Sequence, residues 1–273
     1  MKNIILNSLK ESIKSIWKNK LLFFLLFILQ ILFFVILFYL SIIYQTKILD
    51  NAKAINDYIS QLKLDDLSVA SNMMQQKSIL GDDPLTISRN FNEMVKNFKI
   101  YLMYLFILLV LSTSLSWAIT FRLIHVKTFL PSAKMFLKIF IVLLFYLGLI
   151  FSFFYSLFNI SLTQFAIQGS DLYIKYVPFL IISIILIYFM FISLSILHNT
   201  ELKNIVQKTL KIGIKKGHYI LTIYIINVSL SVISLISLFY LFEKRIMALP
   251  LILFIFSFVF GRIFMVKVVE KIT

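Results

Sequence analysis

The chain contains no cysteine, which excludes disulfides, thiolate metal sites and cysteine nucleophiles. Glycine and proline are scarce, at 6 and 4 of 273 residues, and no glycine-rich phosphate loop is present. Acidic residues are few as well, 12 against 27 Lys and Arg. No His-Glu-x-x-His, Asp-x-Asp or Gly-x-Ser-x-Gly pattern occurs anywhere in the sequence. The three histidines, His125, His198 and His218, are spaced too widely for a ligand motif. Neither an enzyme nor a cofactor or metal site is expected from these shortages.

What is abundant is apolar. Hydrophobic residues make up 60% of the chain, charged residues 14%, and the mean hydropathy is +0.95. A soluble domain is about half apolar and about a quarter charged, so this composition calls for a lipid solvent. Six long apolar runs lie at 21–44, 100–121, 136–158, 176–197, 219–242 and 246–266. Each approaches the roughly 20 residues that cross a hydrocarbon core, and in lipid each must be a helix to satisfy its own backbone. The first run is longer than a signal-peptide core of about 7–15 residues and no small-residue cleavage site follows it; it reads as a retained span. The expected fold is an all-α integral membrane protein, a single six-span bundle over 1–273.

Charge sets the expected orientation. Cut at the six runs, alternate loops hold 17 Lys and Arg against 3 Asp and Glu on one side, and 10 against 9 on the other. The net +15 is thus +14 on one face and +1 on the other, a positive-inside pattern with both termini in the cytoplasm of a cell-membrane protein. Fourteen of the 17 inner basic residues fall in three amphipathic stretches before spans one, three and five, namely 2–18, 123–140 and 202–216 with their flanking charges. Their expected apolar faces are Ile5, Leu9, Ile13 and Ile16 in the first, Val126, Phe129, Leu130, Ala133, Phe136, Leu137 and Phe140 in the second, and Leu202, Val206 and Leu210 in the third. The first and third share the pattern [Ser/Thr]-Leu-Lys-x-x-Ile-Lys, at Ser8–Lys14 and Thr209–Lys215. Two readings stand for these segments: helices resting on the anionic inner headgroups, or docking helices for a cytoplasmic partner such as an ATPase.

The one long loop, 45–99, carries its own periodicity. Ile48, Ala52, Ile55, Ile59 and Leu62 repeat at 4, 3, 4, 3 beyond span one; Ile87, Phe91, Met94 and Phe98 repeat at 4, 3, 4 ahead of span two. Spans one and two are therefore expected to project past the outer surface as helices, joined by a further helix at 65–80 and a breaker at Gly81–Pro84, forming an outer helical cap. Its seven basic and seven acidic residues cancel, and no nucleic-acid partner is expected. The cap reads either as a connector packing on itself or as a surface for an extracytoplasmic protein.

Polar groups inside the spans are mostly hydroxyls. Ser112, Ser116 and Thr120 form an i, i+4, i+8 stripe in span two; Ser152 and Ser156 do so in span three, and Asn227 and Ser231 in span five. Such small residues serve close helix packing or the lining of a translocation path. Gln30 is the most isolated polar side chain and is expected to hydrogen-bond to a neighbouring helix. Arg262 lies inside span six; it is expected either to snorkel towards the cytoplasmic headgroups or to serve a cavity. Pro178 is expected in the first turn of span four, where its missing N–H is harmless.

The opening Ile4–Lys20 followed by a long apolar run resembles the start of uncharacterised six-span prokaryotic membrane families. It is also similar to the interfacial helix and first span of ABC-2-type permeases. The likeness covers about 40 residues and the span count, and carries no functional residue across. The permease resemblance implies a transport-type subunit of unknown substrate. The alternative is a structural or lipid-organising protein that binds partners through its outer cap.

Overall fold

The computed structural model describes residues 2–61, 85–125, 133–157, 171–242 and 248–273. These form α1 (Lys2–Lys18), α2 (Lys20–Gln61), α3 (Leu85–His125), α4 (Ala133–Leu157), α5 (Asp171–Ile196), α6 (Ile205–Lys215), α7 (Gly217–Phe242) and α8 (Ala248–Ile272). Two short 3₁₀ turns, Leu197–Asn199 and Leu202–Asn204, lead from α5 to α6. The described residues contain no strand. α2, α3, α4, α5, α7 and α8 are each long and apolar enough to cross a membrane. Their outward faces are apolar: Phe24, Leu32, Val35, Ile184 and Ile225 are all more than half exposed. Contiguous apolar surface of this kind needs a lipid or protein partner to cover it.

The chain divides into two compact units. The first comprises Met1–Val35, Leu108–Ile150 and Ile181–Thr273. Its core gathers Leu26 of α2, Ile119 and Leu123 of α3, and Val259 and Ile263 of α8. α8 packs along α7 and α1 and is sheathed by neighbours over Val259–Val269, a stretch in which Phe264, Val266, Val268 and Val269 are fully buried. At the turn between α1 and α2, Asn19 donates through Nδ2 to the Leu123 carbonyl at 2.8 Å, which ties this turn to the end of α3.

The second unit comprises Ile36–Ile107 and Phe151–Leu180. Here α2 and α3 run far beyond their apolar runs, as the 4, 3 seam predicts. At about 1.5 Å per residue, the 42 residues of α2 span roughly 63 Å, about twice a hydrocarbon core. The two helices meet through Ser41, whose Oγ lies 2.9 Å from the Tyr101 hydroxyl, and through the Tyr44 ring against Tyr101 and Tyr104. Phe91 of the second seam is buried, and Ile48, Ala52 and Ile55 of the first are half-buried. The expected helix at 65–80, the breaker at Gly81–Pro84 and the middle of the second amphipathic stretch (126–132) lie outside the described residues.

One local expectation is corrected, and the packed sides of two amphipathic helices become visible. Pro178 stands inside α5, because the helix starts at Asp171, ahead of the apolar run; it removes one backbone hydrogen bond there. α1 turns Ser8 and Ser12, both fully buried, towards its neighbours, while Ile13 of its expected apolar face is exposed. α6 does likewise, burying Ile205, Thr209, Ile212 and Gly213 and exposing Val206 and Leu210. In both helices small residues share the packed side with apolar ones, Ile16 in α1 and Ile205 and Ile212 in α6, while Ile13, Val206 and Leu210 look outward.

Candidate functional site

Within the first unit a cavity of about 520 Å³ opens between the helices. All six long helices line it. α2 contributes Gln30, Phe33 and Phe34, an i, i+3, i+4 set on one face. α3 contributes Thr113, Ser116 and Trp117 at the same spacing, with Ser112 beside them, and α7 contributes Tyr224, Asn227 and Ser231. α8 presents Ser257, Gly261 and Met265 in a row at i, i+4, i+8, with Arg262 beside it. α4 and α5 close the wall with Leu143, Leu147, Met190 and Phe191. The lining is mainly hydrocarbon, with a few polar groups at one locus, the usual build of a small-molecule site.

Arg262 does not snorkel to the end of its helix. Its Nη2 donates to Gln30 Oε1 at 3.0 Å across the bundle, and its Nε is shielded with no acceptor among the described residues. The reason is local: Gln30 offers an acceptor within reach, and the turns of α8 beyond Arg262 are enclosed by other helices. Asn227 donates through Nδ2 to the Gly261 carbonyl at 3.4 Å, and its Oδ1 meets no donor among the described residues. Gly261 makes this approach feasible, since a Cβ there would lie 3.0 Å from the Asn227 amide. Ser231 and Ser257 bridge α7 and α8, their Oγ atoms 2.9 Å apart. Among the described residues that line the cavity Arg262 is the only charged one; no carboxylate or imidazole faces it.

Of the nine residues singled out by sequence, six converge here: Gln30, Ser112, Ser116, Asn227, Ser231 and Arg262. Thr120 is buried near the end of α3 and bonds back to the Ser116 carbonyl at 2.7 Å. Ser152 and Ser156 belong to the second unit and are exposed. Trp117 was missed as a site residue. It reads as an interfacial aromatic, but it is fully buried against Phe121 and Phe191, and its indole Nε1 has no acceptor among the described residues. Its position one residue after Ser116, on the hydroxyl stripe, is the signal that could have placed it.

A second polar cluster lies in the same unit. The rings of His125 and His198 stack at 3.9 Å, and His125 Nε2 lies 2.7 Å from Glu270 Oε1, which is itself part of a carboxylate 3.5 Å from Lys267 Nζ. Two of the three histidines thus come together, against the expectation of scatter, because the end of α3 and the turn after α5 meet there. No group of three or more His, Cys, Asp or Glu able to hold a metal occurs among the described residues.

The fold and the cavity define a class, a helical bundle whose six apolar helices enclose a polar locus. No family profile, no curated protein and no solved structure matches the chain.

Proposed function

We propose that this chain is a multi-pass membrane protein of the transport type, with both termini cytoplasmic, whose cavity is the path or waiting site of its substrate. One observation carries the reading: all six long helices contribute to a single cavity in which Gln30, Asn227 and Arg262 converge. Intramembrane ionisable groups are costly and mark pathways or ligand sites. The uneven charge of the loops supports the orientation. The exposed, lysine-bearing sides of α1 and α6 suit contact with anionic headgroups or with a cytoplasmic energising subunit.

The absence of cysteine makes the test direct. Single cysteines at Ser112 and Ser231, with controls at Leu32 and Ile184, are treated in intact cells and in inverted vesicles with a water-soluble, membrane-impermeant thiol reagent. The cavity positions are expected to react from at least one side and the outward-facing controls from neither. Silence of both cavity positions from both sides would sink the transport reading.

The length of α2 and α3 favours a second reading, in which the outer extension is an interaction surface. Deletion of residues 50–95 should then abolish capture of an extracytoplasmic partner and leave membrane insertion intact.

A further inference from the structure

We propose that the cavity binds an anionic amphiphile: one carboxylate or phosphate head held by Arg262, on an apolar chain laid along the phenylalanine and leucine wall. The proposal rests on the transport-type reading for the route but not for the binding.

The argument begins with unmatched donors. A guanidinium carries five N–H donors and keeps its charge at every accessible pH. Arg262 uses one donor on Gln30 and has a shielded, unmatched Nε. Trp117, which is fully buried, lines the same cavity with its ring, its own Nε1 being shielded. Gln30 is neutral and cannot balance the charge. A buried cation without an anion is strongly unfavourable, and here no side chain of the lining supplies one. Buried polar groups left unpaired are rare and call for a partner.

The missing partner must therefore accept hydrogen bonds and carry negative charge. A carboxylate or phosphate does both, and its bonds to Arg are the strong, charge-assisted kind. A cation would be repelled, and a neutral hydrocarbon would leave the guanidinium charge unbalanced. A hydrated inorganic anion would gain nothing from Phe33, Phe34, Leu143 and Leu147, whereas an acyl chain would be buried by them. The volume falls within the roughly 300–1,000 Å³ of sites that enclose small molecules.

The chain has two tryptophans, and Trp17 is largely exposed, so Trp17→Phe leaves Trp117 as a single reporter inside the cavity. Purified W17F protein in neutral detergent is titrated with a dibrominated stearate, whose bromines quench indole fluorescence on contact. Saturable quenching is expected, reversed by unlabelled stearate or by lysophosphatidic acid but not by methyl stearate. Adding Arg262→Gln should raise the half-quenching concentration about tenfold or more, the loss of a charge-assisted hydrogen bond, and Arg262→Lys by a smaller factor.

Competition by stearate alone assigns the site to free fatty acids, and competition by lysophosphatidic acid alone to phosphate-headed lipids. Either result supports the anionic class. Failure of both to compete, or equal competition by acid and ester, overturns it, and this comparison needs no Arg262 variant to fold. Acid-selective quenching with both Ser112→Cys and Ser231→Cys unreactive would keep the site and remove the transport reading. Reactive Ser231→Cys without acid-selective quenching would do the reverse.

Discussion

α1 and α6 carry the same seven-residue pattern, yet they are held in different ways. Ser8 and Thr209 occupy the same place in the pattern and both are buried; Ser12 and Gly213 correspond four residues on, and both are buried too. Ile13 and Ile214 correspond and both face outward. From there the two diverge. α6 is keyed in by close contact: the Tyr188 hydroxyl donates to the Gly213 carbonyl at 2.9 Å, and the Thr209 Oγ1 lies 2.9 Å from Ser193 Oγ, which lies 2.9 Å from the Tyr146 hydroxyl. α1 is held by a long bond, Ser8 Oγ to the Lys267 carbonyl at 3.4 Å, and by a surface ion pair, Glu11 to Lys271 at 2.7 Å. One pattern thus yields a helix locked by a chain of buried hydroxyls and one tethered by packing along α8 and a part-exposed ion pair, and the difference lies in what each helix meets, not in the helix itself.

The largest effect should come from changing the corresponding small residue of each helix to alanine. A Cβ at Gly213 would lie 2.6 Å from Phe189 Cε1 and 3.2 Å from Ile192 Cδ1, so the Phe189 ring must move. Gly213→Ala is expected to cost about 1–3 kcal/mol, the range of core overpacking. That corresponds to a fall of roughly 2–10 °C in melting temperature in detergent. Ser12→Ala removes only a hydroxyl that bonds back to the Ser8 carbonyl within α1, at 2.8 Å, and should leave the melting temperature within about 1 °C. Equal shifts for the two variants would mean that α1 and α6 are seated alike.

These helices also show how far the sequence could be read. The six apolar runs were legible because lipid leaves the backbone no option but long helices. The outward continuation of α2 and α3 was legible from a seam at 4, 3, 4, 3. The packed faces of α1 and α6 were not. Periodicity marks Ile13 and Leu210 as an apolar face, and both are exposed; it does not mark which small residues on the other side a neighbouring helix covers. The site was half legible. Gln30 and Arg262 each stood out as polar residues in apolar runs, but 232 positions separate them and no periodicity within one helix reveals which others it faces. Trp117 was hidden by its type, since a tryptophan near a span end ordinarily marks an interface.

A smaller effect tests the buried link of α6. Thr209→Val keeps shape and removes the hydroxyl that meets Ser193. The expected loss is about 1 kcal/mol, in line with hydrogen bonds between membrane helices. Tyr146→Phe acts on the same chain of hydroxyls, so the double variant should lose less than the sum of the two singles. Strict additivity would show that the three hydroxyls do not work as one network, and would narrow the contrast with α1.

The smallest effect concerns the tether of α1. Glu11 is about half exposed at 48% and Lys271 less so at 27%, so their pair is bathed in solvent and should contribute only about 0.2–1 kcal/mol. Global melting of Glu11→Gln is therefore expected to match the parent. The local equilibrium should still respond. Glu11 is the only acidic residue of α1, and without it Lys271 faces a helix that carries only lysine charges. Hydrogen exchange of the amides in 2–18 should accelerate about twofold in Glu11→Gln, the factor that about 0.4 kcal/mol represents at room temperature. Raising salt from about 0.05 to 1 M, which shrinks the screening length to about 3 Å, should produce the same acceleration in the parent and none in the variant. Exchange in α6 should ignore both changes, because uncharged groups hold it. A salt response in α6 as large as that in α1 would erase the distinction between the locked helix and the tethered one.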